Sequence, residues 1–460
     1  MLRVMKFGGT SVGDSQRIKH VAELVKKYKS KETVVVVSAM EGVTDELLTV
    51  AKKVAHGLTE EDIKNIVGAL REKHIITAKE AVLREFLEIP LISIEKLCHE
   101  LEKLLIGISY VGELTPRSLD YVLSFGERLC APILSGALNS IGVRSKWFTG
   151  YEAGITTNSN FGRASPIWDI TNKRVNETLK PLLKEYVPVV TGFIAGDEKG
   201  RITTLGRGGS DYSASIIGSA LNADEIWIWT DVDGIMTTDP RLVSDARTIK
   251  VISYIEAMEL AYFGARVLHP KTIEPAMEKG IPVRVRNTFN PENEGTLIVR
   301  EQERIEDIVK AVSVMKDVVM LNISGASMIG MPGIVARVFN ALAEENINIL
   351  MISQASSEAN ISFVIAKEDL KKALKVLNKE FKNNYIKQID YLKDIAIIAV
   401  VGAGMIGTKG VAARVFKAVA DAGVNIIMIA QGSSEVNISF VILEKDAKKA
   451  AEALHREFIR

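Results

Sequence analysis

Three glycine-bearing stretches hold the side chains best suited to chemistry. They are Lys6-Phe7-Gly8-Gly9-Thr10-Ser11, Gly206-Arg207-Gly208-Gly209-Ser210-Asp211 and Thr230-Asp231-Val232-Asp233-Gly234. Each follows a run that reads as a buried strand. Glycine lets backbone approach a ligand closely, and N–H groups at a following helix start attract anions. Lys6 ahead of two glycines places a cation to meet transferring phosphate oxygens, without a GxxxxGK[ST] run. Arg207, set between glycines, has little neighbouring surface to pack on, and its planar fork suits a carboxylate. Ser210-Asp211 reads as an N-cap for a helix over 212–221, a role compatible with a functional one. The acidic loop and Thr238-Asp239-Pro240-Arg241 read plainly as turns, since Asp-Gly and Asp-Pro are common turn pairs. Their functional reading is a nucleotide pocket, Asp231 toward ribose or base and Arg241 toward phosphate. Two cationic loops and one acidic loop fit a phosphorylated nucleotide and a small charged acceptor.

Alternating strands and helices must position these loops. Residues 4–7 read as a strand and 14–28 as an amphipathic helix with Val21, Leu24 and Val25 on one face. Residues 33–37 read as the β-branched strand of a doubly covered parallel sheet. Residues 44–105 read as mostly helical, with breaks near Gly57 and Ile89-Pro90. Thr115-Pro116 starts a further helix, Thr capping and Pro first. That helix carries Ser124-Phe125-Gly126-Glu127-Arg128, where Glu127 alone reads as a solvated charge. Further strands are expected at 187–191, 202–205, 225–230 and, last, 283–287, with a hairpin turn at 197–200. A polar, acidic boundary follows at 290–307. The pattern predicts an α/β, three-layer αβα domain with a largely parallel sheet, whose ligands gather at strand carboxyl ends.

Beyond the boundary, 325–381 aligns without gaps to 402–458, more than half the positions matching. Both copies run strand, glycine-rich loop, helix, strand, strand, helix, which predicts two small α+β modules rather than a solenoid. Gly402-Ala403-Gly404-Met405-Ile406-Gly407 satisfies GxGxxG. However, the next strand ends at Ala430-Gln431, where a ribose-binding acid belongs, and the first copy has Ser327 for the second glycine. A dinucleotide fold is therefore set aside.

The 460 residues allow two or three domains, and a formal charge of +1 offers no basic excess for nucleic acid or membrane. Cys98 and Cys130 lack CxxC spacing and the six histidines are scattered, so neither a disulfide framework nor a metal site is predicted. Apolar runs fall short of the roughly 20 residues that span a bilayer, and the start reads as a strand rather than a signal peptide. A cytoplasmic location is expected.

Together these stretches resemble the aspartate kinases of the amino-acid kinase family. The likeness rests on the three loops above, on Ser38-Ala39-Met40 with Thr44, and on Ser124-Phe125-Gly126-Glu127-Arg128. Thr238-Asp239-Pro240-Arg241 and Phe263-Gly264-Ala265-Arg266-Val267-Leu268-His269-Pro270 complete it, and the repeat resembles that family's tandem ACT modules (ferredoxin-like). The resemblance implies a catalytic domain at 1–295 and a first ACT module at 316–390. The second module would combine 395–460 with 308–315, threaded in as an extra strand. A chain ending there implies the monofunctional form, without a fused homoserine dehydrogenase.

The implied reaction converts ATP and L-aspartate to ADP and 4-phospho-L-aspartate, the first step toward lysine, threonine and methionine. A carboxylate of pKa about 3.9 attacks already ionised, so no general base is needed. By resemblance Lys6 stabilises the transferring phosphate, Asp211 orients Lys6, and Gly8 and Gly9 line the phosphates. Arg207 and Glu127 would hold the α-carboxylate and ammonium of aspartate, with Ser38, Thr44, Gly208 and Ser210 completing its site. Thr230, Asp231, Met236, Arg241, Arg266 and Val267 would face ATP. Mg2+ would ride mainly on ATP oxygens and waters. The family commonly has lysine at Arg266 and tyrosine at Met236; the first exchange keeps charge but alters reach, and the second loses a hydroxyl.

ACT modules imply a homodimer or higher homo-oligomer and an amino-acid effector near the loop after each first strand. The corresponding residues are Met328, Gly330, Asn348, Ile349 and Gln354, with Met405, Asn425, Ile426 and Gln431 in the second copy. Threonine or lysine are the implied effectors, and the uncharged surroundings favour threonine. Two alternatives remain at this point: a catalytically silent amino-acid sensor, or a related kinase for another small carboxylate.

Overall fold

The computed structural model describes residues 1–264, 269–300, 307–325, 328, 332–354, 360–381 and 388–459. The chain divides into two compact units. The first holds Met1–Ile235, Lys250–Tyr254 and Val267–Glu301; the second holds Met236–Ile249, Ile255–Arg266 and Gln302–Arg460.

In the first unit β1 (Leu2–Phe7) runs into a 3-10 turn, Gly9–Val12, and then α1 (Ser15–Tyr28), capped by Asp14 accepting from Arg17 N. β2 (Glu32–Val37) ends in four valines buried on both faces, as a central parallel strand requires. α2 (Val43–Val54), α3 (Glu60–Ala81) and α4 (Glu88–Val111) follow. The expected break at Ile89-Pro90 falls earlier, at 82–87. Pro90 is accommodated in the first turn of α4, where its missing N–H breaks no helix bond. α5 (Pro116–Ser140) starts as expected, Thr115 accepting from Ser118 N at 3.1 Å.

β3 (Ser145–Phe148), β4 (Thr156–Thr157), α6 (Trp168–Leu179) and β5 (Val187–Thr191) lead to an antiparallel hairpin, β6 (Ile194–Asp197) and β7 (Ile202–Thr204). α7 (Gly209–Leu221) and β8 (Glu225–Thr230) come next. From Ile255 onward α8 (Tyr254–Tyr262) belongs to the second unit, and the first closes with β9 (Val251–Ser253), α9 (Pro270–Lys279), β10 (Val283–Asn287) and β11 (Thr296–Val299). The main sheet has the order β3-β5-β2-β1-β8-β10-β11-β9, and among the described residues only β10 with β11 is antiparallel. The sequence reading made β10 the last strand; β11 instead emerges from the polar 290–307 stretch, its four residues too few to show against their flanks. Phe7, Val37 and Thr191 stand in register, Phe7 faces Trp229, and Thr230 faces Asn287. Five strands therefore end together along one edge.

The second unit contains β12 (Ala311–Ser324), α10 (Ile334–Glu344), β13 (Ile349–Gln354), β14 (Asn360–Ala366) and α11 (Leu370–Glu380). The second copy supplies β15 (Gln388–Val401), α12 (Val411–Asp421), β16 (Met428–Gln431), β17 (Asn437–Leu443) and α13 (Ala447–Phe458). These form one six-stranded antiparallel sheet, β13-β14-β12-β15-β17-β16. β12 and β15 pair along their whole lengths: 311–315 lies against 397–401, and 320–324 against 388–392. Where their pairing slips, Asp317 and Asp394 adopt left-handed backbone at equivalent repeat positions, with φ of +57° and +54°. The copies match in detail. Arg337–Glu380 and Arg414–Glu457 both pair at 2.8 Å, and Phe339–Phe363 and Phe416–Phe440 both meet edge to face.

Candidate active site

At that common strand edge a cavity of about 500 Å³ draws Lys6, Gly9, Ser38, Thr44, Glu127 and the whole run Gly206–Asp211 to one place. Lys6 is the last residue but one of β1 and Asp211 lies in the first turn of α7, so strand and helix deliver the two charges to each other. Lys6 Nζ stands 2.5 Å from Asp211 Oδ1, both side chains little exposed. Among the described residues Oδ1 has no hydrogen-bond donor, so the contact is a charge pair off the line of a hydrogen bond. The expected N-cap differs: Gly208, at φ +71°, begins α7, and Ser210 and Asp211 lie inside its first turn. A Cβ on Gly208 would meet Thr272 Cγ2 at 2.8 Å and His269 Cβ at 3.1 Å. Only glycine suits both that backbone and that space. Arg207, just before it, remains exposed on the cavity wall.

Glu127 departs most from expectation: it is buried, 3% exposed. Gly126 makes this position reachable, because a Cβ there would lie 2.7 Å from Ala39 Cβ, so α5 packs directly on the 38–40 loop. Burial pushes the Glu127 carboxyl up to about 8, against hydrogen bonds from its own backbone and that of Ala39. Among the described residues its Oε2 has no partner. A buried carboxyl with an open oxygen facing a cavity is suited to receive a cation.

Sequence reasoning missed Phe193, Glu41 and Asp45, which also line the cavity. Phe193 has a φ of +63°, unusual for an aromatic residue, and no local pattern announces it. Of the nucleotide candidates, Thr230 ends β8 and Asp231 follows it, and Gly8 N donates to Trp229 O at 3.3 Å. Met236 and Arg241 belong to the second unit. There Arg241 is forked on Asp239 at 2.7–3.1 Å, the turn reading of that motif. Arg266, Val267 and Gly330 lie outside the described residues.

The second unit has its own cavity, about 380 Å³. It brings together Gln354 and Ile426 of the effector candidates, with Met320, Ser353, Asn360 and Ser362. Met328 and Met405 are buried at matching positions, while Asn348, Asn425 and Gln431 are exposed. The GxGxxG loop leads into α12, and its Ala403 N–H donates to Glu256 at 2.6 Å, a donor a pyrophosphate would need.

Residues 1–287 match the amino acid kinase family, and 321–381 and 398–458 each match the ACT domain. The chain belongs to the aspartokinases of the amino acid kinase family. It is 37% identical to aspartokinase 1, chloroplastic, of Arabidopsis thaliana, covering 99% of this chain and 80% of that protein. It is 35% identical to a bifunctional aspartokinase/homoserine dehydrogenase of Zea mays, of which it spans 50%. Among solved structures it resembles E. coli aspartokinase III with aspartate and ADP, TM-score 0.83 at 31% identity, over 99% of both chains. The same enzyme with lysine and aspartate gives 0.84 at 30% identity, over 100% of both. This kinase is thus a phosphotransferase with a mostly parallel catalytic sheet and antiparallel ACT modules. Among the described residues no helix is long and apolar enough to cross a membrane.

Proposed function

We propose that the protein transfers the γ-phosphoryl group of ATP to the side-chain carboxylate of L-aspartate, yielding ADP and 4-phospho-L-aspartate. The observation that carries this reading is the single cavity shared by Lys6–Asp211, Arg207 and Glu127. An aspartate carboxylate oxygen bonds to the γ-phosphorus as the bond to the β–γ bridging oxygen breaks, and ADP leaves with that electron pair. Lys6, held by Asp211, meets the charge on the moving phosphoryl oxygens. Arg207 takes the α-carboxylate and Glu127 the ammonium, fixing the acceptor for attack. Gly8, Gly9, Thr230 and Asp231 form the nucleotide side contributed by the first unit. Among the described residues no group of three or more His, Cys, Asp or Glu could hold a metal, so a magnesium ion would be carried mainly by ATP oxygens and water, where it would neutralise phosphate charge.

The E. coli structures with aspartate and ADP, and with lysine, support this substrate pair and an amino-acid effector. Threonine or lysine at the ACT modules, a homo-oligomer, the domain division given by the sequence, and a cytoplasmic setting complete the proposal. The plant relatives are named as chloroplastic, so location rests on the free, buried Cys98 and Cys130, ordinary for a reducing compartment. The test is ATP-dependent hydroxamate formation from L-aspartate and hydroxylamine. Lys6→Ala is expected to lower kcat about a thousandfold; product independent of aspartate, or indifferent to Lys6, would overturn the reading. Threonine and lysine titrated into the assay identify the effector.

A further inference from the structure

Asp120 lies seven residues before Glu127 on one face of α5, about 10 Å along the axis. It is 1% exposed. Its carboxylate accepts three hydrogen bonds: Oδ2 from Gly162 N at 2.9 Å and Thr204 N at 3.0 Å, Oδ1 from Thr204 Oγ1 at 2.8 Å. Burial pushes this carboxyl's pKa up, while those donors pull it down. The Thr204 carbonyl is occupied as well, accepting from Ala164 N at 3.0 Å. All the polar groups of Thr204 are therefore engaged, two of them by Asp120. Thr204 ends β7, and Arg207 follows three residues later. Between them Leu205 N donates to Phe193 O at 3.0 Å, and Gly206 turns the chain with a φ of +77°. One helix thus presents Glu127 to the cavity and also clamps the strand end from which Arg207 departs.

We propose that Asp120 is a positioning residue for the acceptor: it fixes the origin of the Gly206–Asp211 loop relative to α5. In doing so it sets the gap between Arg207 and Glu127 that the backbone end of the amino acid must span. The inference rests on the roles proposed above for Arg207 and Glu127. A carboxylate that only stabilised the fold would have no reason to affect one substrate more than the other.

Asp120→Asn keeps the volume but replaces one acceptor oxygen with a donor. The expected result is a KM for L-aspartate raised about tenfold or more, with the KM for ATP within about twofold of the parent. Thr204→Val, which removes only the hydroxyl, should shift the aspartate KM in the same direction, and Thr204→Ser should bring it back. A purely structural role would instead lower Tm and move both KM values together, without following the hydroxyl. Arg207→Ala and Glu127→Gln are measured alongside. If neither raises the aspartate KM, the underlying assignment of the site fails. If they do, and Asp120→Asn and Thr204→Val leave it within about twofold, the positioning role alone is overturned. Should Asp120→Asn fail to fold, the Thr204 pair decides.

Discussion

A carboxyl group deprived of water keeps its proton into the neutral range, and Glu127 does so up to about 8. If it receives the substrate ammonium, binding requires the anion. The KM for L-aspartate should then fall as pH rises from about 7 to about 8.5, by at most about tenfold per unit. Glu127→Gln should flatten that profile and raise the KM about ten- to hundredfold. A profile unchanged by the substitution would remove Glu127 from the site. The same group affects stability. Its folded pKa lies above the ordinary 4.5, so its contribution is present below 4.5 and is lost as pH climbs to about 8. The sequence singles out Lys6 because it precedes the Gly8-Gly9 loop, and Arg207 because its glycine neighbours leave it no packing role. The burial of Glu127 could not, since it depends on Gly126 resting on Ala39, contacts remote in sequence.

Helix starts decide how accurately the loops are aimed. The sequence placed the start of α7 two or three residues late, because Ser210-Asp211 is a familiar capping pair and a left-handed Gly208 leaves no compositional mark. Gly208→Ala is expected to strain that backbone by about 1–2 kcal/mol and to press on Thr272 and His269. Displacement of Arg207 should follow, seen as a fall of about tenfold or more in kcat/KM for aspartate. Gly126→Ala tests the other wall. Its new methyl, 2.7 Å from Ala39 Cβ, should cost about 1–3 kcal/mol in urea unfolding and weaken aspartate binding. Wild-type behaviour in either variant would mean the cavity walls are softer than their packing indicates. Elements with strong local chemistry, such as the Thr115-Pro116 start of α5 or the valines of β2, were readable from sequence. β11, short and flanked by polar residues, was not.

Over the whole chain, the duplication was plain in the sequence. Residues 236–249 and 255–266 pack with the ACT modules through bonds no local pattern reveals. Thr237 Oγ1 meets His455 Nε2 at 3.0 Å, Asn437 donates to Glu259 at 3.1 Å, and Tyr262 donates to the Ile349 carbonyl at 3.1 Å. Glu256, fully buried, accepts from Ala403 N. Glu256→Ala should strand that N–H at a cost of about 1–3 kcal/mol, lowering the unfolding temperature. It should also blunt effector inhibition while leaving the uninhibited rate in place. Full inhibition with unchanged Tm would deny this helix a part in regulation.

The long pairing of β12 with β15 has one more outcome. A protease cut between Phe381 and Gln388 would sever the backbone yet leave each piece holding half of a continuous ladder. The nicked halves are expected to travel together through gel filtration and, made separately, to reassemble on mixing as a split protein does.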